Sequence, residues 1–278
     1  MAAPTNTLGM EKSDAMDEWT IVLPRRGKQK TKGSKYVLSK NEAPVHTWTP
    51  KDVDANPERE RRLLHKMDIC IQKLENSQFW KSLLNQMEST EFLNRIINLL
   101  GSESSMKMVV YGIGSIESYD PPRLQLGIVI LMKRNFGWIG DVEVFDPIIS
   151  LIESKVLDSL GCSVLSLNEQ GRRQALRPTF FFMPHCEAEL YENLLEANWR
   201  SDMLNRTILF GNSFDEYEQY MSLCNTSTIS KPRKHILAIR NFTTEVRISA
   251  DFDDYYRAFN GSSWHFFCLD SELDSLLQ

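Results

Sequence analysis

The chain reads as a three-layer α/β protein built on a mostly parallel sheet, and three observations predict it. From Met106 onward, apolar runs of strand length alternate with helix-length segments, the βαβ rhythm of a parallel sheet. The first of these runs, 107–111, enters the glycine turn Gly112-Ile113-Gly114-Ser115. Farther on, the stretch 177–199 is strand, polar turn and helix in direct succession. Its residues 179–183 are wholly apolar, as in a strand buried on both faces. Pro184-His185-Cys186 then breaks the run, and Leu190, Leu194 and Leu195 follow at helical spacing. Such a Rossmann-like sheet keeps its ligands beyond the carboxyl ends of its strands.

Composition narrows the class. The 278 residues suffice for one large domain or two small ones. A content of 42% hydrophobic and 25% charged residues is that of a soluble globular protein. The net charge of -5 argues against a generic nucleic-acid binder, so no direct DNA binding is expected. No apolar run approaches the ~20 residues that span a bilayer, and no apolar signal core opens the chain. Cys70, Cys162, Cys186, Cys224 and Cys268 are dispersed without a CxxC pair. That pattern favours reduced thiols in the cytosol or nucleus.

Residues 1–56 are polar and lack periodicity, and are read as a flexible arm before an α/β domain at 57–278. Within the arm, 18–24 alternates like a short strand or a partner-docking motif. The basic run Arg25, Arg26, Lys28, Lys30, Lys32 and Lys35 follows. It reads as a nuclear import signal or anion contact, or as a solvated tail.

After the arm, Leu63, Leu64, Met67, Ile71 and Leu74 mark an amphipathic helix, and 77–87 a second. Thr90 is read as the N-cap of a third helix and Gly101 as its stop. These three form a helical cover over the sheet. In the core, Asp120 is read as an N-cap before Pro121, opening a deeply buried crossover helix through 124–132. A second strand, 142–145, ends at Asp146-Pro147. Ile148, Ile149, Ile152, Val156 and Leu160 give the next helix its apolar face. A third strand is predicted at 162–167, a fifth at 207–210 and a sixth at 235–239. A helix at 251–259 and a last strand at 264–267 close the domain. Ser213 and Glu216 have capping-box spacing.

Gly112, Gly114, Ser115, Asp146, His185, Cys186, Gly211 and Asn212 all fall at predicted strand ends, on one rim, and are the candidate binding residues. Ser213 falls there with them. Gly112-x-Gly114 suits a phosphate or nucleotide loop or simply a tight turn. The third glycine of GxGxxG is replaced by Glu117, whose charge would repel a pyrophosphate. Asp146 stands where a ribose-binding acid would sit, but Asp-Pro also simply starts helices. His185 and Cys186 read as a base–nucleophile pair, as metal or haem ligands, or as a capping turn. No HxxxH or CxxC supports a metal. Arg172 and Arg173 are a phosphate clamp or a solvated pair.

The segments YGIGSIESY, VEVFDPIISLIESKVLDSLGCSVLSLNEQGRR, PTFFFMPHCEAELYENLLEANW and ILFGNSFDEYE resemble the Sensitivity to Red Light Reduced family across roughly residues 60–270. The tail WTIVLPRRGKQK is similar to that of its plant members. The resemblance implies a regulator of circadian-clock input and phytochrome B red-light signalling. Such a regulator acts through protein partners on expression of clock-regulated genes, in nucleus and cytoplasm, with no established catalysis. Because animal and fungal relatives are connected with haem metabolism, haem is a conceivable ligand. The competing expectation is an enzyme or sensor holding a nucleotide-like cofactor, S-adenosylmethionine or haem at the rim. The family supplies no catalytic residues to carry over.

Overall fold

The computed structural model describes residues 47–217, 234–249 and 253–269. The alternating segment 18–24, the basic run, Cys224 and residues 225–233 lie outside them. Three helices come first: α1 (Pro57–Glu75), α2 (Gln78–Met87) and α3 (Thr90–Leu100). The sheet follows, with β1 (Met106–Tyr111), β2 (Ile139–Phe145), β3 (Cys162–Val164), β4 (Thr179–Met183), β5 (Thr207–Asn212), β6 (Thr243–Arg247) and β7 (Ser262–Phe267). Between strands run α4 (Asp120–Asn135), α5 (Leu151–Ser159), α6 (Ala188–Ala197) and α7 (Ser201–Leu204). The strand order is β3-β2-β1-β4-β5-β7-β6. The first five strands run parallel, whereas β7 is antiparallel to both β5 and β6. This is a mostly parallel α/β sheet with helices on both faces, as the sequence predicts.

Two apolar layers hold it together. On one face α1 to α5 and the helix Asp253–Phe259 bury Met108, Val110, Val144, Phe180, Phe182 and Phe210. On the other, α6, α7 and the helix Lys234–Ile239 cover Val109, Phe181, Met183 and Leu209. Strand β4 shows why the run after Thr179 is continuously apolar: all five residues are buried, with Phe180 and Phe182 in one layer and Phe181 and Met183 in the other. Phe182 stacks on Phe210, and Trp264 meets Phe210 edge-on at 4.9 Å.

Several local expectations shift. The run 235–239 is a helix, not a strand. His235, Ile236 and Ile239 are its buried residues, an i, i+1, i+4 spacing. The Glu192 carboxylate caps it by accepting from the backbone N–H groups of His235 and Ile236. The sixth strand comes later, as β6. Ser89, not Thr90, caps α3. Asp120 is the first residue of α4 rather than its cap, and its acid sits in the first turn beside Arg123. Ile148 is 57% exposed; α5 begins after it, with Ser150 and Glu153 forming a reciprocal capping box. Strand β3 stops at Val164.

Residues 47–56, read from sequence with the arm, have defined partners. Thr47 bridges Leu167 in antiparallel register, and Trp48 N–H donates to the Ser166 carbonyl at 2.7 Å. The Trp48 ring meets Phe145 edge-on, its indole N–H donates to the Pro147 carbonyl, and Asp52 accepts the Leu151 amide. The segment is a strap across the carboxyl ends of β2 and β3.

Candidate functional site

Register brings the expected rim into being. Tyr111 pairs with Phe145, Val110 with Phe182, and Met183 with Gly211, so β1, β2, β4 and β5 end side by side. The chain leaves β1 toward β2 and leaves β4 toward β5, which puts the topological switch point between Gly112 and Pro184.

The glycine turn after β1 is bound up by the chain's own side chains. Gly112 has φ +68°, and a Cβ there would stand 2.5 Å from Cys186 Sγ. Gly112 thus leaves room for the thiol, which donates to the Tyr111 carbonyl at 3.3 Å. Gly114, φ +76°, donates its amide to Asp146 Oδ2 at 2.8 Å, while Asp146 Oδ1 accepts from Ile148 N–H at 3.0 Å. Ser115 donates its hydroxyl to Glu153 Oε1 at 2.7 Å, and the Glu117 amide reaches the same oxygen at 3.0 Å. Glu153 is buried and gives its other oxygen to the Ser150 amide. The Glu117 carboxylate is gripped bidentately by Arg59 at 2.7 Å on each oxygen, and Arg59 also holds Asp52 and Asp54. Carboxylates therefore take amides of this turn that a bound phosphate would seek.

On the other side of the switch point, His185 is in the left-handed region at φ +57°, a conformation that costs a non-glycine residue about 1 kcal/mol or more. Its amide is fixed by Asn212 Oδ1 at 2.7 Å. Its Nε2 faces the Asn260 carbonyl at 3.1 Å, and a carbonyl only accepts, so Nε2 carries the proton and Nδ1 holds the lone pair in the neutral ring. Asn212 also donates to the Cys186 carbonyl and to the Tyr217 hydroxyl. Gly211 is a packing glycine: a Cβ would lie 2.7 Å from the Tyr191 hydroxyl. That hydroxyl donates to the Met183 carbonyl and accepts the Asn212 amide.

Burial pushes the Cys186 thiol well above its ordinary range, and the Asp146 and Glu187 charges push it further. The sulfur is thus a neutral, engaged thiol and does not fit an axial thiolate to haem iron. His185 and Cys186 diverge, one exposed and one buried, and form no base–nucleophile pair. Among the described residues, no group of three His, Cys, Asp or Glu side chains is placed to hold a metal ion. Arg172 binds Glu196 and Asn193, and Arg173 binds Glu169 and Glu143, so both are consumed within the fold. Burial raises the Tyr111 phenol, whose hydroxyl donates to Glu169 and joins that ion network.

Sequence reasoning missed Glu153, Arg59 and Tyr191, which close the turn and clamp the rim. The S-x-x-E spacing of Ser150 and Glu153 was a readable sign for the first. Nothing local marks the other two.

The fold and rim define a doubly wound α/β protein whose glycine turn is held shut by its own acids. Residues 70–266 match the SRR1 domain, and the chain belongs to that family. It is 49% identical over 267 residues to Protein SENSITIVITY TO RED LIGHT REDUCED 1 of Arabidopsis thaliana, covering 95% of this chain and 96% of that protein. An SRR1-like protein of Mus musculus is 42% identical over 123 residues, 42% of this chain and 47% of that one. The SRR1-like protein of Drosophila melanogaster is 27% identical over 165 residues, 59% and 56% of the two chains. Among solved structures, MtNAS in complex with MTA and tNA superposes with a TM-score of 0.33 at 12% identity, over 75% of this chain and 71% of that one. A mutant of MtNAS in complex with S-adenosylmethionine gives a TM-score of 0.33 at 16% identity, over 75% and 73%. No helix among the described residues is long and apolar enough to cross a membrane.

Proposed function

We propose that this protein is a regulator of red-light responses and of circadian-clock input in a plant, working through protein partners in nucleus and cytoplasm. The observation that carries this reading is identity with the Arabidopsis protein along nearly the whole of both chains. The closed glycine turn supports a role as an interaction module, because Asp146 and Glu153 spend their carboxylates on its amides. The test is expression of this chain in a plant lacking that relative. Restored red-light growth response and rhythm period at matched soluble protein is the expected result. No restoration at matched level sinks the reading.

A second reading, a nucleotide-like cofactor, S-adenosylmethionine or haem at the rim, is favoured by the switch point between β1 and β4. Gly114→Val separates the two. Its Cβ approaches Pro122 at 3.3 Å at positive φ, so rescue is normalised to soluble protein. Full rescue removes a cofactor from this turn, and lost rescue by a protein with an unchanged melting curve favours it.

A further inference from the structure

Beyond β5 the same rim continues over the start of β7 and the end of β6. There it opens into a pocket of ≈ 450 Å³ lined by Glu216, Arg247, Tyr256, Asn260, Ser262 and Ser263 among others. That volume lies within the roughly 300–1,000 Å³ of small-molecule sites. We propose that this pocket binds a small, hydroxylated oxyanion, a sugar-sized phosphate ester or carboxylate, with Arg247 as the anion anchor. The proposal does not depend on the signalling role above.

The first argument is the state of the cation. Arg59, Arg172, Arg173 and Arg240 each hold a carboxylate at 2.6–2.9 Å. The side chain of Arg247 does not. Its Nη1 is 3.7 Å from Glu216 Oε1, and its Nη2 is 3.4 Å from Ser213 Oγ. The first distance is beyond hydrogen-bonding reach and the second is at its limit. A guanidinium carries five N–H donors in a planar fork that matches phosphate and carboxylate. Among the described residues most of those donors have no partner, and Glu216 offsets the charge without using them.

A second, independent observation is Ser262. Its residue is 2% exposed, and its hydroxyl is buried with no hydrogen-bond partner among the described residues. An unpaired buried hydroxyl is costly and calls for a partner. Asn260 and Tyr256 lie in the lining beside Ser262 and offer polar partners to a hydroxylated ligand, whereas Ser263 faces the other side of β7 and spends its hydroxyl on Glu245.

The walls are held in place. Gln86 donates to the Arg247 carbonyl at 3.0 Å, the Ser213 amide donates to the Gly261 carbonyl at 2.8 Å, and His185 Nε2 holds the Asn260 carbonyl. Gly261, at φ +63°, lets Glu216 lie against the backbone, because a Cβ would come within 2.7 Å of its carboxylate. The helical turn that starts at Phe214 is not the anion site. Glu245 already accepts the Phe214 and Asp215 amides and the Ser263 hydroxyl. Burial alone would raise the Glu245 carboxyl, but the His265 ring 3.6 Å away and the Ser213 and Ser263 hydroxyls hold it at about 2. An incoming anion is therefore left with Arg247 and competes with Glu216 for it.

The test titrates the full chain with ribose 5-phosphate, gluconate and inorganic phosphate by calorimetry. At least one of the two hydroxylated anions should saturate with a Kd of about 1 mM or tighter. Arg247→Gln should weaken it at least tenfold, ~1.4 kcal/mol. Glu216→Gln keeps the shape, removes the rival charge and should tighten it by a factor of about three, ~0.65 kcal/mol. Preference for ribose 5-phosphate assigns a phosphate ester and preference for gluconate a carboxylate, and either supports the site. Three results overturn it. These are no saturation by either hydroxylated anion, inorganic phosphate binding as tightly as both, or affinity that is unmoved by Arg247→Gln or not raised by Glu216→Gln in variants that melt like the wild type.

Discussion

At the residue scale the rim is a set of close fits. Gly112 and Cys186 show this best, since one is small so that the other can be buried. Gly112→Ala puts a methyl group 2.5 Å from the sulfur and adds strain at φ +68°. A cost of about 2–4 kcal/mol is expected, combining the overlap with left-handed backbone strain. Cys186→Ala removes the obstacle. In a double-mutant cycle read by urea unfolding, the pair should recover at least ~1 kcal/mol relative to the sum of the singles. Additive effects would show that the thiol is not what excludes a side chain at position 112. The same logic runs through Gly211 and Tyr191, whose hydroxyl occupies the space a Cβ would need and ties β4 to β5.

Among the elements, the strap 47–56 most changes the picture drawn from sequence. Its polar composition hides how it is used. Trp48 lies against Phe145, Asp52 accepts the Leu151 amide, Asn56 caps α1, and Arg59 gathers Asp52, Asp54 and Glu117 into one cluster. The strap thereby joins the start of α1 to the glycine turn. Truncation after residue 46 should leave the thermal midpoint unchanged. Truncation after residue 56 should lower it by about 4–8 °C, corresponding to ~2 kcal/mol for a half-buried tryptophan and its bonds. Scanning calorimetry of the two truncated proteins decides it; equal midpoints would mean that the strap contributes nothing to stability. The strap bonds to Ser166 and Leu167, just past the short edge strand β3.

On the scale of the whole molecule, the proposed work in nucleus and cytoplasm rests on the basic run from Arg25 to Lys35. Replacing Arg25, Arg26, Lys28, Lys30, Lys32 and Lys35 by Gln in a fusion too bulky to diffuse through nuclear pores should lower the nuclear fraction at least about threefold. Imaging that finds nuclear accumulation unaltered would remove the run from import. The variant should also melt like the wild type, because the run precedes the strap and every helix and strand described.

What the sequence determined by itself is what short-range pattern encodes. Residues 179–183 announce a doubly buried strand, 124–132 a buried crossover helix, and Ser77 and Gly101 the ends of helices, because periodicity and caps act within a few residues. Strand ends in a parallel sheet share one rim, so Gly112, Asp146, His185, Cys186 and Asn212 could be gathered there without any structure. Tertiary structure decided the rest. The run 235–239 is too short for its period to tell helix from strand, and the distant carboxylate of Glu192 helps settle it. Cys186 and the Tyr111 carbonyl lie 75 positions apart, Arg59 and Glu117 58, and Gln86 and the Arg247 carbonyl 161. A hydrogen bond consumes a donor or a charge only where two such groups meet. Which amides of the glycine turn are spent, and which guanidinium is left open, is therefore set by long-range packing.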